Sequence, residues 1–389
     1  MNIIVLTSSM ADADFNTFAK QAQIKPNPSN QNFYNKLIRS LAYFNNVSVV
    51  SLRPFVKGMF DDDYLDSRTG VEGTVKYYYP YVKSSKSFKA SKQIEEVVTT
   101  TDNLIAEQGY TTFTIVVDTL RYALVKAAKL IAAKYNAPVV GVLTDNPANI
   151  SSVRSAYVSV IKKNVNNFDG YIALTDSLNR ILNPKKKPFY IMEGLVDDIV
   201  ETDKLPIGEY IFFGGALYER YGVRRLLEAY HRSRCKYNLV IAGAGELKKF
   251  IYDLSEKDRR ILYLGLLDKN TLYSIEQHAK FNINPRPYDW KLDRESIPSK
   301  LLEYVSTGVP TISTKHSKLR EIFETNIIWL DDDSERGLER YLENLDALDY
   351  DELKVKAQNA KMRVFELYGI RTQGEAITQF IKSLSSSLI

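Results

Sequence analysis

At 389 residues the chain exceeds the size at which one hydrophobic core keeps growing, so its length implies two domains. Its composition, 44% hydrophobic and 25% charged, is ordinary for a soluble globular protein, and a net charge of +5 is too small to argue for nucleic acid. That charge is compatible with an anionic ligand or membrane surface, while the single cysteine, Cys235, excludes an intrachain disulfide framework and a thiolate metal cluster.

The N-terminal stretch Met1-Asn-Ile-Ile-Val-Leu-Thr7 lacks a basic leader and reads as a first strand. No apolar run approaches the roughly 20 residues of a membrane span. The expectation is a cytoplasmic protein, with peripheral contact at the inner membrane face left open. Strand-like runs then alternate with helical patterns, which argues for parallel βαβ units. In the first half the strands fall at 2–7, 47–52, 75–79, 112–117, 138–143 and 170–174. Helices fall near 30–44, 92–108, 120–135 and 150–163. After a polar segment at 197–209 that carries Pro206 and Gly208, the pattern restarts. Strands near 210–214, 237–242, 260–264, 281–285, 309–313 and 327–330 alternate with helices near 222–233, 245–255, 270–278, 299–306 and 316–323. The tail beyond 351 is helical. The expected fold class is therefore α/β, with two Rossmann-like doubly wound parallel sheets. The domains are 1–203 and 204–369, and a helix at about 370–389 is expected to pack back on the first. Ligands of such sheets bind beyond the carboxyl ends of the strands.

Two glycine turns stand at such ends. Tyr210-Ile-Phe-Phe-Gly-Gly215 leads through a loop into a helix that opens near Gly222, and Leu239-Val-Ile-Ala-Gly-Ala-Gly245 has the same form. Glycine lets the backbone approach a phosphate closely, although a bare glycine pair is also an ordinary turn. Ile261-Leu-Tyr-Leu-Gly265 adds a third strand and turn. Glu295-Ser-Ile-Pro-Ser-Lys-Leu-Leu-Glu303 then places two acids eight positions apart around Pro298 and Lys300, with Gly308-Val-Pro310 beyond. A helix that begins near Pro298 or Ser299 leaves Glu295 in the entry loop and puts Glu303 on the helix. Its N-terminus suits a phosphate, and a carboxylate there accepts hydrogen bonds from sugar hydroxyls.

In this order the pieces Phe-Gly-Gly…Tyr-Gly-Val-x-x-Leu-Leu-Glu-Ala, Ile-Ala-Gly-x-Gly-Glu, Asn-Pro-Arg and Glu-x7-Glu…Gly-Val-Pro resemble the donor domain of GT-B glycosyltransferases. More narrowly, they are similar to the retaining family 4, the glycosyl transferases group 1. The resemblance covers about 210–330 firmly and 1–200 diffusely. It implies a retaining, metal-independent hexosyltransferase that takes a sugar from a nucleoside diphosphate sugar, with UDP-sugar favoured. The implied acceptor is a hydroxyl of a lipid-linked saccharide, glycan or protein. No cofactor, metal or nucleic acid is implied.

Carried over position by position, the resemblance makes Glu303 the contact to the ribose hydroxyls and Glu295 the contact to the transferred sugar. Backbone N–H groups of Ser296, Ile297 and Pro298 lie near sugar and phosphate. Lys300 is a point charge for the diphosphate, Gly214 and Gly215 line the phosphate side, and Gly265 and Leu266 lie near the base. Many relatives place cations at the positions held here by Ala216 and Tyr221. Arg220, Arg224, Arg286 and Lys300 are the nearby substitutes, with Lys300 and Arg220 favoured.

The first half offers fewer chemical groups. His231, His278 and His316 all lie in the second half, which excludes a histidine base from the first. Asp118, Asp145 and Asn146 follow strands and are acceptor-binding candidates, although capping of the next helix is the favoured reading for the two acids. Ser29 and Asn30 open the first helix, where they are candidates to cap it or to reach the donor phosphates. Asp61–Asp63 and Asp331–Asp333 read as loops rather than metal sites. Lys83, Lys86, Lys89 and Lys92 around Phe88, and Lys185–Lys187, read as solvated charge, with an anionic lipid contact as the alternative. A noncatalytic GT-B partner protein is the rival function, motivated by Ala216 and Tyr221, and a sugar-nucleotide epimerase is the third.

Overall fold

The computed structural model describes residues 1–26, 28–84, 90–149, 155–295 and 297–386. Lys86, Phe88 and Lys89 of the expected basic patch lie outside the described residues. The chain divides into two compact units. The first comprises Met1–Leu195, Arg294–Ile297 and Ile370–Ile389, and the second Val196–Asp293 and Pro298–Gly369.

The first unit opens with β1 (Asn2–Thr7), α1 (Asp12–Gln21), α2 (Pro28–Ala42) and β2 (Asn46–Ser51). A set of short strands follows: β3 (Tyr64–Leu65), β4 (Arg68–Glu72), β5 (Val75–Tyr79) and β6 (Val82–Lys83). Then come α3 (Ala90–Gln108), β7 (Thr114–Asp118), α4 (Tyr122–Tyr135), β8 (Val139–Leu143), α5 (Ser155–Val165), β9 (Gly170–Ala173), α6 (Asp176–Leu182) and β10 (Phe189–Ile191). Eight strands form one sheet in the order β10-β9-β8-β7-β1-β2-β5-β4. β1, β7 and β8 are buried at nearly every position and apolar through their centres because both faces of the sheet are covered. One core packs under α3, α4 and α5 and the other under α1 and α2.

The second unit runs β11 (Tyr210–Ala216), α7 (Val223–Arg232), β12 (Asn238–Ala244), α8 (Lys248–Lys257), β13 (Ile261–Gly265), α9 (Lys269–Gln277) and β14 (Phe281–Asn284). It continues with α10 (Trp290–Glu295, of which Trp290–Asp293 belong to this unit), α11 (Ser299–Thr307), β15 (Thr311–Thr314), α12 (Ser317–Phe323), β16 (Ile328–Leu330), α13 (Glu335–Glu343) and α14 (Tyr350–Tyr368). Its six strands are parallel, in the order β13-β12-β11-β14-β15-β16. α15 (Ile370–Ser386) packs in the first unit, where Ile377 and Ile381 join the core beneath α2. No described helix is long and apolar enough to cross a membrane.

Both units are thus Rossmann-like parallel-sheet folds, with departures from the sequence pattern. β4 pairs antiparallel with β5, and β3 with β6, so the edge of the first sheet is not purely parallel. Half-exposed, polar β4 carries no apolar alternation to reveal it. The helical tail breaks in two at Gly369, which takes an extended conformation after Tyr368 while its N–H closes the last turn of α14.

Candidate functional site

In the second unit the carboxyl end of β11 is built around Gly214. The Tyr304 hydroxyl accepts from the Gly214 N–H at 2.8 Å and donates to its carbonyl at 3.1 Å, which fixes α11 to the end of β11. Beside it β12 comes so close that a Cβ on Gly243 would lie 1.8 Å from the Gly215 carbonyl oxygen. The following loop closes at Gly222, whose left-handed backbone (φ +75°) sits against the Pro285 carbonyl, 2.1 Å from where a Cβ would stand. A side chain at either glycine would push the loop out of place.

This closure brings two cations to one tyrosine. The guanidinium carbons of Arg220 and Arg286 lie 4.9 and 5.9 Å from the centre of the Tyr221 ring. Neither arginine has a carboxylate partner among the described residues. Burial lowers the Arg286 pKa; Tyr221, Asp289 and Asp293 oppose that shift, and the neighbouring Arg220 reinforces it. Two adjacent guanidinium groups that form no ion pair among the described residues, with Asp289 and Asp293 acting on Arg286 without pairing to it, make a site that an anion would stabilise. Arg224 differs, because it pairs with Glu219.

Lys300 is placed differently. Its ammonium lies 3.2 Å from the buried Glu276 and 2.9 Å from Glu303. Burial would lower its pKa, but the two carboxylates outweigh burial and raise it well above the usual ammonium value. The charge expected to meet a diphosphate is thus already engaged, and Lys300 instead holds Glu303 in position on the first turn and a half of α11. Tyr273, raised by burial and then by Glu303, completes this cluster.

Glu295 ends the short helix α10 rather than lying in a loop. Its side chain, and Ser296 altogether, lie outside the described residues. Asp293, one turn earlier, accepts the Ser317 N–H at 3.0 Å and lies 3.7 Å from His316, which ties α10 to the start of α12. Pro298 is the N-cap of α11 and has no N–H to offer a phosphate, so of the expected backbone donors it is excluded by its own chemistry. The first-turn N–H groups of α11 remain as helix-end donors. Ile297 is half-buried, Gly265 takes a left-handed turn at the end of β13, and Leu266 beyond it is 71% exposed, an apolar surface at the expected base position.

In the first unit, Asp118 ends β7 and is 1% exposed. It accepts the Leu120 N–H at 3.0 Å, whereas the N-cap of α4 is Arg121 and has no side-chain cap. Asp118 therefore makes a turn, not the expected helix cap. Burial raises its pKa, against the Leu120 N–H, Arg121, Tyr34 and Asn30, which lower it. The buried Tyr34 hydroxyl stands beside it with no hydrogen bond of good geometry among the described residues. Asp145, past β8, is solvent-exposed, although protein atoms crowd around it, and that desolvation together with Asp118 raises its pKa to about 6. Asn146 accepts the Ala148 N–H at 3.1 Å, and Asn30 donates to Ser8 at 2.7 Å.

Residues 201–361 match the family model described as glycosyl transferases group 1. The matched stretch contains every strand of the second unit's sheet. No curated protein sequence matches it. Among solved structures, a sucrose-phosphate synthase from Thermosynechococcus elongatus is similar over 100% of both chains, with 14% identity and a TM-score of 0.69. An alpha,alpha-trehalose-phosphate synthase (UDP-forming) from Burkholderia vietnamiensis is similar over 100% of this chain and 98% of its own, with 10% identity and a TM-score of 0.66. HepE of Anabaena, in complex with UDP, covers 98% of this chain and 100% of its own, with 14% identity and a TM-score of 0.63. These are GT-B glycosyltransferases, and the fold of this chain is of that class.

Within the group 1 region the structure brings Gly214, Gly215, Glu303 and Lys300 around Tyr304, and Arg220 and Arg286 around Tyr221. Glu276 and Tyr304 escaped the sequence reading. Glu276 had a visible signal: it falls on the apolar stripe of Leu272 and Ile275 in α9 and Ala279 just beyond, where a carboxylate requires a buried partner. The acidic triplet Asp331–Asp333 pairs with Arg320, Arg340 and Arg225 at 3.2, 2.8 and 3.5 Å.

Proposed function

We propose that the protein transfers a sugar, with retention, from a nucleoside diphosphate sugar to a hydroxyl acceptor in polysaccharide, glycolipid or glycoprotein assembly. The observation that carries this reading is the Arg220–Tyr221–Arg286 cluster, two cations without an ion pair among the described residues, at the glycine loop of the stretch that matches the group 1 model. In this reading they hold the diphosphate, and Glu303, steadied by Lys300, accepts the ribose hydroxyls. Uridine is favoured because HepE was solved with UDP-glucose and the Burkholderia synthase is described as UDP-forming. Glu295 faces the transferred sugar, and Asp118, Asp145 and Asn146 bind the acceptor.

The chemistry asked of the chain is electrostatic. The glycosidic bond to the diphosphate breaks as the acceptor oxygen bonds the anomeric carbon, and the leaving diphosphate takes the acceptor proton. The arginines stabilise the charge that develops on that leaving group, and binding holds the reactants in line. No metal enters this reading.

Calorimetry with UDP- and GDP-sugars on the wild type and Glu303→Ala tests it. Equal nucleotide affinity in both proteins removes the ribose assignment, and a product of inverted anomeric configuration removes retention.

A further inference from the structure

Positive charge is unevenly compensated in the first unit. Lys76, Lys83, Lys92 and Lys134 each face a carboxylate, on Glu107, Asp63, Glu95 and Asp102 respectively. Lys126 and Lys129 on α4, Lys162 and Lys163 on α5, and the Lys185–Lys187 turn have no carboxylate partner among the described residues.

These lysines converge. Lys185 Nζ donates to Asn167 Oδ1 at 2.5 Å, just past the end of α5. The Lys129 ammonium stands 5.8 Å from the ring centre of the adjacent Phe168. Burial lowers the Lys129 pKa, and the charges of Lys126 and Lys185 lower it further, which places the three ammonium groups within mutual reach.

Apolar side chains are exposed on the same face. Leu130 of α4 is 54% exposed and Val160 of α5 is 40% exposed, where the opposite side of each helix is packed into the core. Phe189, 46% exposed, belongs with them by strand alternation. Its neighbour Tyr190 packs on Phe380 of α15, whereas Ile191, two residues on, packs in the core beneath α4 and α5. β10 is the edge strand of its sheet, so Phe189 stands at the border of the lysine-rich face.

We propose that this face of the first unit, formed by α4, α5 and the Lys185–Phe189 segment, docks on an anionic lipid bilayer. Interfacial binding combines shallow insertion of apolar side chains with attraction of lysines to anionic headgroups, and both components are present. A bilayer fits better than a nucleic acid, because Leu130, Val160 and Phe189 have no use against a phosphate backbone. The reading is independent of glycosyl transfer. It brings the first unit to the surface where a lipid-borne acceptor would reside.

The test is cosedimentation of the full chain with phosphatidylcholine vesicles, with vesicles of phosphatidylcholine and phosphatidylglycerol, and with duplex DNA. Wild type binds the phosphatidylglycerol vesicles and neither alternative to the same extent. Each charge reversal in the set Lys162→Glu, Lys163→Glu, Lys185→Glu and Lys187→Glu lowers partitioning on the order of fivefold. Leu130→Ser with Val160→Ser lowers it at least about threefold. Thermal melting and nucleotide binding by the second unit, unchanged in the variants, exclude misfolding as the cause. A wild-type salt titration needs no variant and must weaken binding. Vesicle binding that survives the four reversals overturns the proposal. So does DNA binding equal to vesicle binding, or indifference to the two serines.

Discussion

The Tyr304 hydroxyl bonds both backbone groups of Gly214, accepting its N–H at 2.8 Å and donating to its carbonyl at 3.1 Å. One phenol thereby couples the helix that carries Glu303 to the loop that leads to Arg220. Tyr304→Phe leaves a buried N–H and carbonyl without that partner, a loss of about 1–3 kcal/mol. Chemical denaturation should show a lower midpoint with an unchanged slope. Nucleotide-sugar affinity should fall as well, because the glycine loop and α11 lose their common register.

Lys300 gives a sharper energetic test. Its ammonium is shared between Glu303 and Glu276, the latter 1% exposed. Lys300→Met removes the cation from a buried carboxylate and should cost about 3–5 kcal/mol of stability. Adding Glu276→Gln should recover part of that loss, since the buried carboxylate charge is gone. Urea unfolding of the wild type, the two single variants and the double variant measures the coupling. Strict additivity would remove the ion pair from the account.

The alternation of strands and helices was legible because βαβ units impose two periods, and buried parallel strands such as Val139–Leu143 read as unbroken apolar runs. The start of α11 was equally legible, since Pro298 and Ser299 mark a helix N-terminus. Elements without an apolar stripe were not, and half-exposed β4 and six-residue α10 are of that kind. At the site, sequence spacing placed Glu303 and Lys300 together but could not show that Glu276, 24 positions from Lys300, holds the same ammonium. Nor could it show that Arg286 joins Arg220, because that meeting depends on Gly222 folding against Pro285.

Asp145 predicts a pH dependence. Its pKa is raised from 3.8 to about 6, first by desolvation and then by Asp118. A carboxyl with a raised folded pKa contributes stability that is complete below its unfolded value and is lost as pH rises through the folded one. Asp145→Asn should therefore leave stability little changed relative to wild type below about pH 4 and be the more stable protein above about pH 7. Parallel melts at the two pH values check the sign. A difference that is constant with pH would place Asp145 outside this pairing.

Asp258, just past the end of α8, has the opposite shift. It accepts from Arg260 at 2.7 Å and lies 3.1 Å from His231. Burial would raise the Asp258 pKa, yet Arg260 and His231 bring it down to about 2. The stability it supplies is complete above about pH 4 and disappears as pH falls toward 2. Asp258→Asn should lower the neutral-pH stability by roughly 2 kcal/mol and flatten the acid limb of the melting profile. An unchanged acid limb would show that the pair contributes nothing.

Arg220 and Arg286 share the ring of Tyr221 with no ion pair to a carboxylate among the described residues, and Asp289 and Asp293 act on Arg286 without pairing to it, so an arriving anion relieves the repulsion between the arginines instead of breaking an existing pair. A charge-assisted hydrogen bond contributes about 1.5–3 kcal/mol, so Arg286→Ala should weaken UDP binding by at least about tenfold. Arg220→Ala should cost less, because its exposed guanidinium is better screened. Uridine affinity should be unchanged in both variants, since the nucleoside has no phosphate. Titration calorimetry with UDP and with uridine separates the two contributions. Equal losses for both ligands would mean that the arginines shape the pocket, and that they do not hold the diphosphate.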